Sequence, residues 1–159
     1  KYGGSGLDTV SYVLAMEEIS KIDASASVVM SVNNSLVCYG LEQYGNEEQK
    51  KKYLQPLASG QKIGAFCLSE PEAGSDATSQ RTTAIDMGDH YLLNGTKNWI
   101  TSGGTSNVHV VIAFNNKCLS ITKCDIGHGR EKGGRREKGD GGGSGEEEEG
   151  RGWYWYGYA

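Results

Sequence analysis

The 159-residue sequence lacks several features that define whole classes of protein. No apolar run approaches the roughly 18–20 residues that a membrane-spanning helix needs, so we expect no membrane span. No basic and then apolar region opens the chain, so a secretion signal is not indicated and we expect a protein that is not secreted. The four cysteines form no CxxC pair, so neither a metal site nor a dithiol redox centre is predicted.

The sequence also lacks an excess of basic over acidic residues. Sixteen Lys and Arg residues face 20 Asp and Glu residues, which gives a formal net charge of −4. Domains that bind nucleic acid are usually clearly basic, so we do not expect the whole chain to bind nucleic acid.

Hydrophobic residues are absent from residues 127–152, where Gly alternates with Arg, Lys and Glu. Such a stretch cannot bury enough apolar surface to offset chain entropy. We therefore predict that residues 115–159 form a divergent, low-complexity tail, either disordered or translated out of frame. Five aromatic residues between Trp153 and Tyr158 leave open an RNA-contacting arm. Against that arm, residues 127–159 hold six basic and seven acidic residues, a net charge of −1.

Residues 8–58 have the spacing of helices. Asp8 can cap the first helix, and the residues Ser20-Lys21-Ile22-Asp23 predict a break after it. A second segment runs from Ala24 to about Tyr39, with apolar residues close to i, i+3 or i+4, and i+7 or i+8.

The clearest helix start lies at Asn46, which can act as an N-cap. Two acidic residues follow in the first turn, and Gln49 can complete a capping box. Pro56 has no backbone N–H, so we do not expect the helix to continue simply through that position.

From Lys62 onward the spacing of apolar residues is typical of strands. Turns are predicted at Met87-Gly88-Asp89 and at Asn94-Gly95, which is the stronger hairpin signal. Helices first and strands second imply segregated layers and an α+β fold class. The edges of such a sheet should have been covered by residues beyond 114. Five short strands are predicted, at residues 63–68, 81–86, 90–93, 97–100 and 108–114.

The candidate chemistry lies in residues 65–76 and in the later run from Trp99 to Thr101. A strand leads into a polar loop, whose backbone N–H groups can cradle an anion while the Ser75 hydroxyl adds a donor. Trp99 supplies a flat apolar face, and Thr101, one alternation along a strand, places a donor on the same side. A planar, polar-edged ligand with a phosphate would suit this set. Ordinary β-domain structure is the alternative explanation.

Several longer motifs occur together and in order. They are YGGSGLD at 2–8, AMEEIS at 15–20, MSVNNSL at 30–36, FCLSEPEAGSD at 66–76 and LNGTKNWIT at 93–101. Through these motifs, residues 1–114 resemble the acyl-CoA dehydrogenase family, closest to its short-chain (butyryl-CoA) members. The resemblance implies part of an N-terminal all-α domain at residues 1–60. It also implies the first half of a middle, antiparallel β-barrel domain, which binds flavin, at residues 61–114.

The same resemblance implies FAD, bound without a Rossmann motif. Trp99 would lie against the isoalloxazine ring, and Thr101 would donate a hydrogen bond near N5, the atom that receives hydride. Leu68 and Ser69 would contact the pyrimidine edge of the ring, and Ser75 would also contact the acyl-CoA substrate. The positions that match the family's flavin contacts are Phe66, Cys67, Leu68, Ser69, Gly74, Ser75, Trp99, Ile100 and Thr101.

No catalytic residue is assigned, because the family's carboxylate base belongs to a C-terminal helical domain that these residues do not contain. Glu70 and Glu72 lie in the flavin loop and match no base, so solvation or local hydrogen bonding is expected for them. Glu72 replaces a common Gly and would strain the loop if that position needs a positive φ. His90 and His109 fit a hairpin and a strand, without a nucleophile–base constellation.

The implied reaction is the FAD-dependent α,β-dehydrogenation of a short-chain acyl-CoA to the trans-2-enoyl-CoA. Electron-transfer flavoprotein would be the acceptor and the parent protein a homotetramer, in the mitochondrial matrix of a eukaryote or the cytoplasm of a bacterium. These residues alone are expected to be inactive. Two alternatives are an inactive, truncated flavin-fold remnant that acts only as a binding module, and another enzyme of the superfamily such as an acyl-CoA oxidase.

Overall fold

The structure is a computed structural model that describes residues 1–115 and the backbone of two further strands, Cys118–Cys124 and Tyr154–Tyr158. Helices come first and strands second, which confirms the predicted α+β order. The disorder predicted for the tail concerns residues that lie largely outside the described part of the chain.

The helical part begins with two helices that share one capping residue. Asp8 caps the first helix by accepting a hydrogen bond from the amide of Ser11 at 2.8 Å. The Asp23 side chain accepts from the amides of Ser25 and Ala26, so the predicted break at this position is confirmed. The α-helices are α1 (Thr9–Ile22), α2 (Ala24–Ser31), α3 (Tyr39–Tyr44), α4 (Glu47–Gln49) and α5 (Gln55–Ala58), and π-helical segments occupy Val32–Cys38 and Lys50–Leu54.

The predicted helix start at Asn46 is confirmed as a capping box. The Asn46 side chain accepts from the amide of Gln49 at 2.8 Å, and the Gln49 side chain accepts from the amide of Asn46 at 3.1 Å. The chain nevertheless stays helical past Pro56, because the π-helical segment Lys50–Leu54 is followed directly by α5, which ends at Ala58. Pro56 lies in the first turn of α5, a position at which a helix tolerates the missing N–H of proline.

The described strands are β1 (Gly64–Cys67), β2 (Thr83–Asp86), β3 (His90–Asn94), β4 (Val108–Asn115), β5 (Cys118–Cys124) and β6 (Tyr154–Tyr158), with a short 3₁₀ helix at Ala77–Ser79. They form a mixed sheet, and β4 lies at its centre. β4 pairs in parallel with β1, in antiparallel with β5, and with β2 through Thr83 and Phe114. β2 and β3 form an antiparallel hairpin around the predicted turn at 87–89, and β6 pairs with the other edge of β3.

Two sequence predictions about the hairpin region are wrong. Residues 97–100 form an irregular loop instead of a strand, and Asn94-Gly95 turns no second hairpin. Gly95 serves close packing: a Cβ at this position would lie 2.3 Å from Thr82 Oγ1 and 2.7 Å from Thr82 Cα. The glycine is therefore explained by the approach of another backbone and not by a tight turn.

The alternation of side chains along β4 divides the core into two clusters. Val108, Val110 and Ile112 face the helices, where they pack with Val37, Leu41, Tyr53, Leu54 and Leu57. Val111 and Ala113 point to the other face of the sheet, where they pack with Ala65, Cys67, Ala84 and Leu93. Ile100 packs against this second cluster, so the sheet supports the Trp99–Thr101 segment.

The first helix contributes little to this core. α1 buries none of its residues, and the apolar side chains of Val10 and Leu14 are more than half exposed. No helix within the described residues is long and apolar enough to cross a membrane.

Candidate functional site

The loop after β1 and the residues before Trp99 lie side by side. The amide of Asn98 donates to the carbonyl of Ser69 at 2.9 Å, and Lys97 Nζ donates to the carbonyl of Leu68 at 2.9 Å. The two segments on which the sequence places its candidate chemistry are therefore joined into one site.

A buried ion pair between Glu70 and Lys97 holds these segments together. Lys97 Nζ lies 2.7 Å from Glu70 Oε1, and the two side chains are only 9% and 6% exposed. Lys97 Nζ also donates to Gln80 Oε1 at 3.1 Å, so each of its three protons has an acceptor. The Glu70 carboxylate accepts in addition from the backbone amides of Arg81 and Thr82.

These contacts decide the charge state of Glu70. Burial alone would raise the pKa of its carboxyl, but hydrogen bonds from Lys97, Thr82 and Arg81 outweigh burial and hold the pKa at about 2. Such a carboxylate is ionised at neutral pH and is a weak proton acceptor. Its geometry agrees with the locally hydrogen-bonded role expected for a glutamate in this loop.

The loop itself is closed by short-range contacts. The amide of Glu70 donates to the carbonyl of Ala73 at 3.0 Å, and the amide of Ala73 donates to the carbonyl of Glu70 at 3.1 Å. Asp76 accepts from the Thr78 and Ser79 hydroxyls as the 3₁₀ helix begins. These bonds fix both ends of the turn.

Glu72 does not strain the loop. The residues with positive φ among the described non-glycine positions are Trp99 and Ser102, so the strain considered for Glu72 does not arise. Its carboxylate pairs with Arg81 Nη1 at 2.7 Å, with both side chains largely exposed.

Trp99 combines a disfavoured backbone with an exposed ring. Its φ is 58°, in the left-handed region, and the residue is 94% exposed. Such a conformation costs about 1–3 kcal/mol and persists only where its surroundings hold it. Because residues 99–101 do not form a strand, the prediction that strand alternation places Trp99 and Thr101 on the same side is wrong. The exposed indole still offers a whole ring face to a planar ligand.

A tight turn follows Trp99 and is pinned by a histidine that sequence reasoning did not connect with the site. His109 Nε2 lies 3.0 Å from the carbonyl of Gly103 and 2.9 Å from Ser106 Oγ. Burial lowers the pKa of His109, against a smaller opposing effect of the bond to Gly103, so the ring is neutral at neutral pH. The available sequence signal was a polar residue at the second position of the otherwise apolar run 108–114.

The remaining predicted site residues differ in exposure. Phe66 and Leu68 are half-buried against the helix-facing cluster, and Cys67 is buried in the other cluster. Burial raises the pKa of the Cys67 thiol to about 12, so the thiol is unreactive. Gly74 and Ser75 are exposed, and nothing lies within 4 Å of the position of a Cβ on Gly74. That end of the loop is open to a ligand.

A cavity of about 200 Å³ adjoins the Glu70–Lys97 pair, but none of the predicted flavin-contact residues lines it. Ligand pockets usually measure about 300–1,000 Å³, so this space is small for a cofactor. It is lined by Glu70, Pro71, Glu72, Arg81, Thr82, Gly95 and Thr96. Within residues 1–115, no cluster of three or more His, Cys, Asp or Glu side chains could hold a metal ion.

Two family models match consecutive parts of the chain. The model of the acyl-CoA dehydrogenase N-terminal domain matches residues 1–61, and that of the middle domain matches residues 65–125. The chain belongs to the acyl-CoA dehydrogenase family. The resemblance stated from the sequence motifs is thereby confirmed.

Individual relatives agree with this assignment. The short-chain specific acyl-CoA dehydrogenase of Clostridium acetobutylicum is 46% identical over 117 residues, which are 74% of this chain and 31% of that protein. A chain in the structure of the electron transferring flavoprotein of Acidaminococcus fermentans is 50% identical, with a TM-score of 0.71 over 73% of this chain and 30% of its own. The acyl-CoA dehydrogenase of Bacillus anthracis, solved with FAD, is 39% identical, with a TM-score of 0.72 over 78% of this chain and 22% of its own. The chain thus spans less than a third of the length of these relatives.

Proposed function

We propose that this chain supplies part of the flavin-binding half of an FAD-dependent short-chain acyl-CoA dehydrogenase. Residues 1–60 would belong to its N-terminal helical domain, and residues 61–114 would form the first half of its middle β domain. The observation that carries the proposal is the joining of the loop after β1 to the Trp99 segment by the buried Glu70–Lys97 pair.

The residues present fit FAD in three respects. Trp99 exposes a full aromatic face on a backbone held in a disfavoured conformation. The carbonyls of Leu68 and Ser69 are tied to Lys97 and Asn98, which fixes the backbone that would meet the ring edge. The loop at Gly74 is open, as a backbone that cradles a pyrophosphate must be.

In the proposed reaction, a short-chain acyl-CoA is dehydrogenated to the trans-2-enoyl-CoA. Bound FAD supplies the hydride acceptor. Trp99 would position the ring, the Thr101 hydroxyl would donate a hydrogen bond at the reducible edge, and Ser75 would contact both cofactor and substrate. Phe66, Cys67 and Ile100 would complete the lining of the flavin site.

The base that removes the substrate α-proton is proposed to come from sequence outside these residues. Glu70 cannot serve, because its pKa is about 2 and hydrogen bonds occupy its oxygens. Electron-transfer flavoprotein is the proposed acceptor and a homotetramer the proposed assembly. The proposed compartment is the mitochondrial matrix of a eukaryote or the cytoplasm of a bacterium.

A non-catalytic flavin-fold remnant is the second candidate. It is favoured by the position of Glu70, the buried carboxylate of the site, which is committed to Lys97. Such a protein would retain flavin contacts and lack turnover.

The proposal is tested with the protein expressed from the complete coding sequence that contains these residues. We expect it to purify yellow with stoichiometric FAD and to reduce an acceptor dye with butyryl-CoA. The 159-residue chain alone should be largely colourless and inactive. FAD without turnover in the complete protein would favour the remnant, and a folded complete protein that binds no FAD would contradict the proposal.

A further inference from the structure

The segment that presents Trp99 begins and ends with a residue in a disfavoured backbone conformation. Trp99 has a φ of 58° and Ser102 a φ of 60°, and both conformations are rare for residues other than glycine, asparagine and aspartate. Two such residues in a run of four require strong support from their neighbours. On the amino-terminal side, this support comes from the bonds of Lys97 and Asn98 to the loop after β1.

Support on the carboxyl-terminal side comes from His109. This residue lies on β4, the central strand, and is only 5% exposed. Its Nε2 atom is 3.0 Å from the carbonyl of Gly103. A carbonyl oxygen can only accept a hydrogen bond, so Nε2 carries the proton and donates it. Ser106 Oγ, 2.9 Å from the same nitrogen, makes the second contact.

The turn transmits these contacts to the Trp99 segment. The amide of Gly103 donates to the carbonyl of Ile100 at 3.0 Å, and the amide of Ser106 donates to the carbonyl of Ser102 at 2.8 Å. His109 therefore contacts Gly103 and Ser106. The amides of these two residues bond to Ile100 and Ser102, respectively.

We propose that His109 is a positioning residue for the flavin: it anchors the 101–106 turn to β4 and thereby holds Trp99, Ile100 and Thr101 in their presenting conformation. The inference rests on the proposed function and deepens it, because it assigns to a residue outside the flavin contacts a role in the affinity and environment of the ring. Removal of the imidazole should free the turn while leaving the remainder of the sheet intact.

The test uses the complete FAD-loaded protein and three variants. In His109→Leu, we expect the Kd for FAD to rise about tenfold, the effect of one lost hydrogen bond. The visible absorption band of any bound flavin should shift, and the amides of Gly103 and Ser106 should exchange hydrogen faster. His109→Gln keeps an N–H donor at a similar reach and should restore affinity to within about threefold. His90→Leu, a histidine exchange on β3 away from the turn, should change none of these readouts.

Each outcome decides the inference. An unchanged Kd and flavin spectrum in folded His109→Leu would overturn it while leaving the proposed function standing. Failure of the wild-type protein to bind FAD would overturn the proposed function and the inference with it. If His109→Leu does not fold, Ser106→Ala decides, because it removes one of the two contacts. It should raise the Kd about threefold and speed amide exchange, and no change in either would overturn the inference.

Discussion

Loss of the Glu70–Lys97 pair should cost more stability than any exposed ion pair of the same geometry. The proposed change is Lys97→Met, which keeps the side chain's length and removes its charge. Glu70 would remain as a buried carboxylate with the amides of Arg81 and Thr82 as its partners. Breaking one side of a buried pair typically costs about 3–5 kcal/mol.

The pKa of Glu70 shows how strongly the folded site as a whole favours the ionised carboxylate. The shift from the ordinary value of 4.5 to about 2 corresponds to about 3 kcal/mol in favour of the ionised form, net of the opposing effect of burial. Lys97 supplies part of this effect, and the amides of Arg81 and Thr82 supply the rest and remain in the variant. From the cost of breaking a buried pair, Lys97→Met should lower the free energy of unfolding by about 3 kcal/mol. Domains are stable by only about 5–15 kcal/mol, so such a loss is readily measured.

Lys21→Met is the matched control. Lys21 Nζ lies 2.6 Å from Glu18, nearly the same distance as in the buried pair, but both side chains are more than half exposed. Its removal should cost less than about 0.5 kcal/mol. Urea unfolding of the complete protein, followed by circular dichroism, compares the two variants. Equal losses in Lys97→Met and Lys21→Met would refute the reasoning.

Acid provides the second arm of this experiment. Because the folded pKa of Glu70 is depressed, its contribution to stability is present above pH 4.5 and is lost as the pH falls from 4.5 towards 2. Glu70→Gln should remove that part of the acid dependence. If wild type and Glu70→Gln lose the same stability over this range, the carboxylate does not make the assigned contacts.

Three further predictions concern individual residues of the site. Glu72→Gln removes an exposed pair with Arg81 and should change the urea midpoint by less than the equivalent of about 1 kcal/mol; a larger loss would contradict the exposed geometry. Trp99→Gly should raise the free energy of unfolding by about 1 kcal/mol, because glycine tolerates a φ of 58°, and it should weaken FAD binding. Lower stability together with unchanged FAD affinity would contradict both the backbone strain and the flavin contact assigned to Trp99. Burial lowers the pKa of His109, so stability should fall as the pH drops below the ordinary value of 6.5, and His109→Gln should remove this component in pH-dependent unfolding.

Local features of the fold could be predicted because they depend on neighbouring residues. Asp8 and Asn46 cap helices through bonds to amides three residues away, so their motifs are complete within a few positions. The turn at residues 87–89 joins adjacent strands and is equally local. The π-helical turn before Pro56 was missed, since proline alone indicates that the regular pattern must change without indicating how.

The geometry of the site could not be predicted, because it depends on residues distant in sequence. Glu70 and Lys97 are 27 positions apart, and their pairing follows only once the strands between them have folded. Asn94-Gly95 has the composition of a hairpin turn, but packing against Thr82 overrode that local preference. The family motifs indicated candidate flavin contacts, which stay predictions, while the exposure of Trp99 required the structure.

The proposed function depends most directly on whether residues 66–101 help to hold a flavin. The decisive measurement is the FAD content of the complete protein after gel filtration, determined from its visible spectrum alongside circular dichroism as a check of folding. We expect one FAD per chain in the wild-type protein and a clearly lower FAD content in Trp99→Ala. A well-folded wild-type protein that emerges without flavin, even after incubation with excess FAD, would contradict the proposed function.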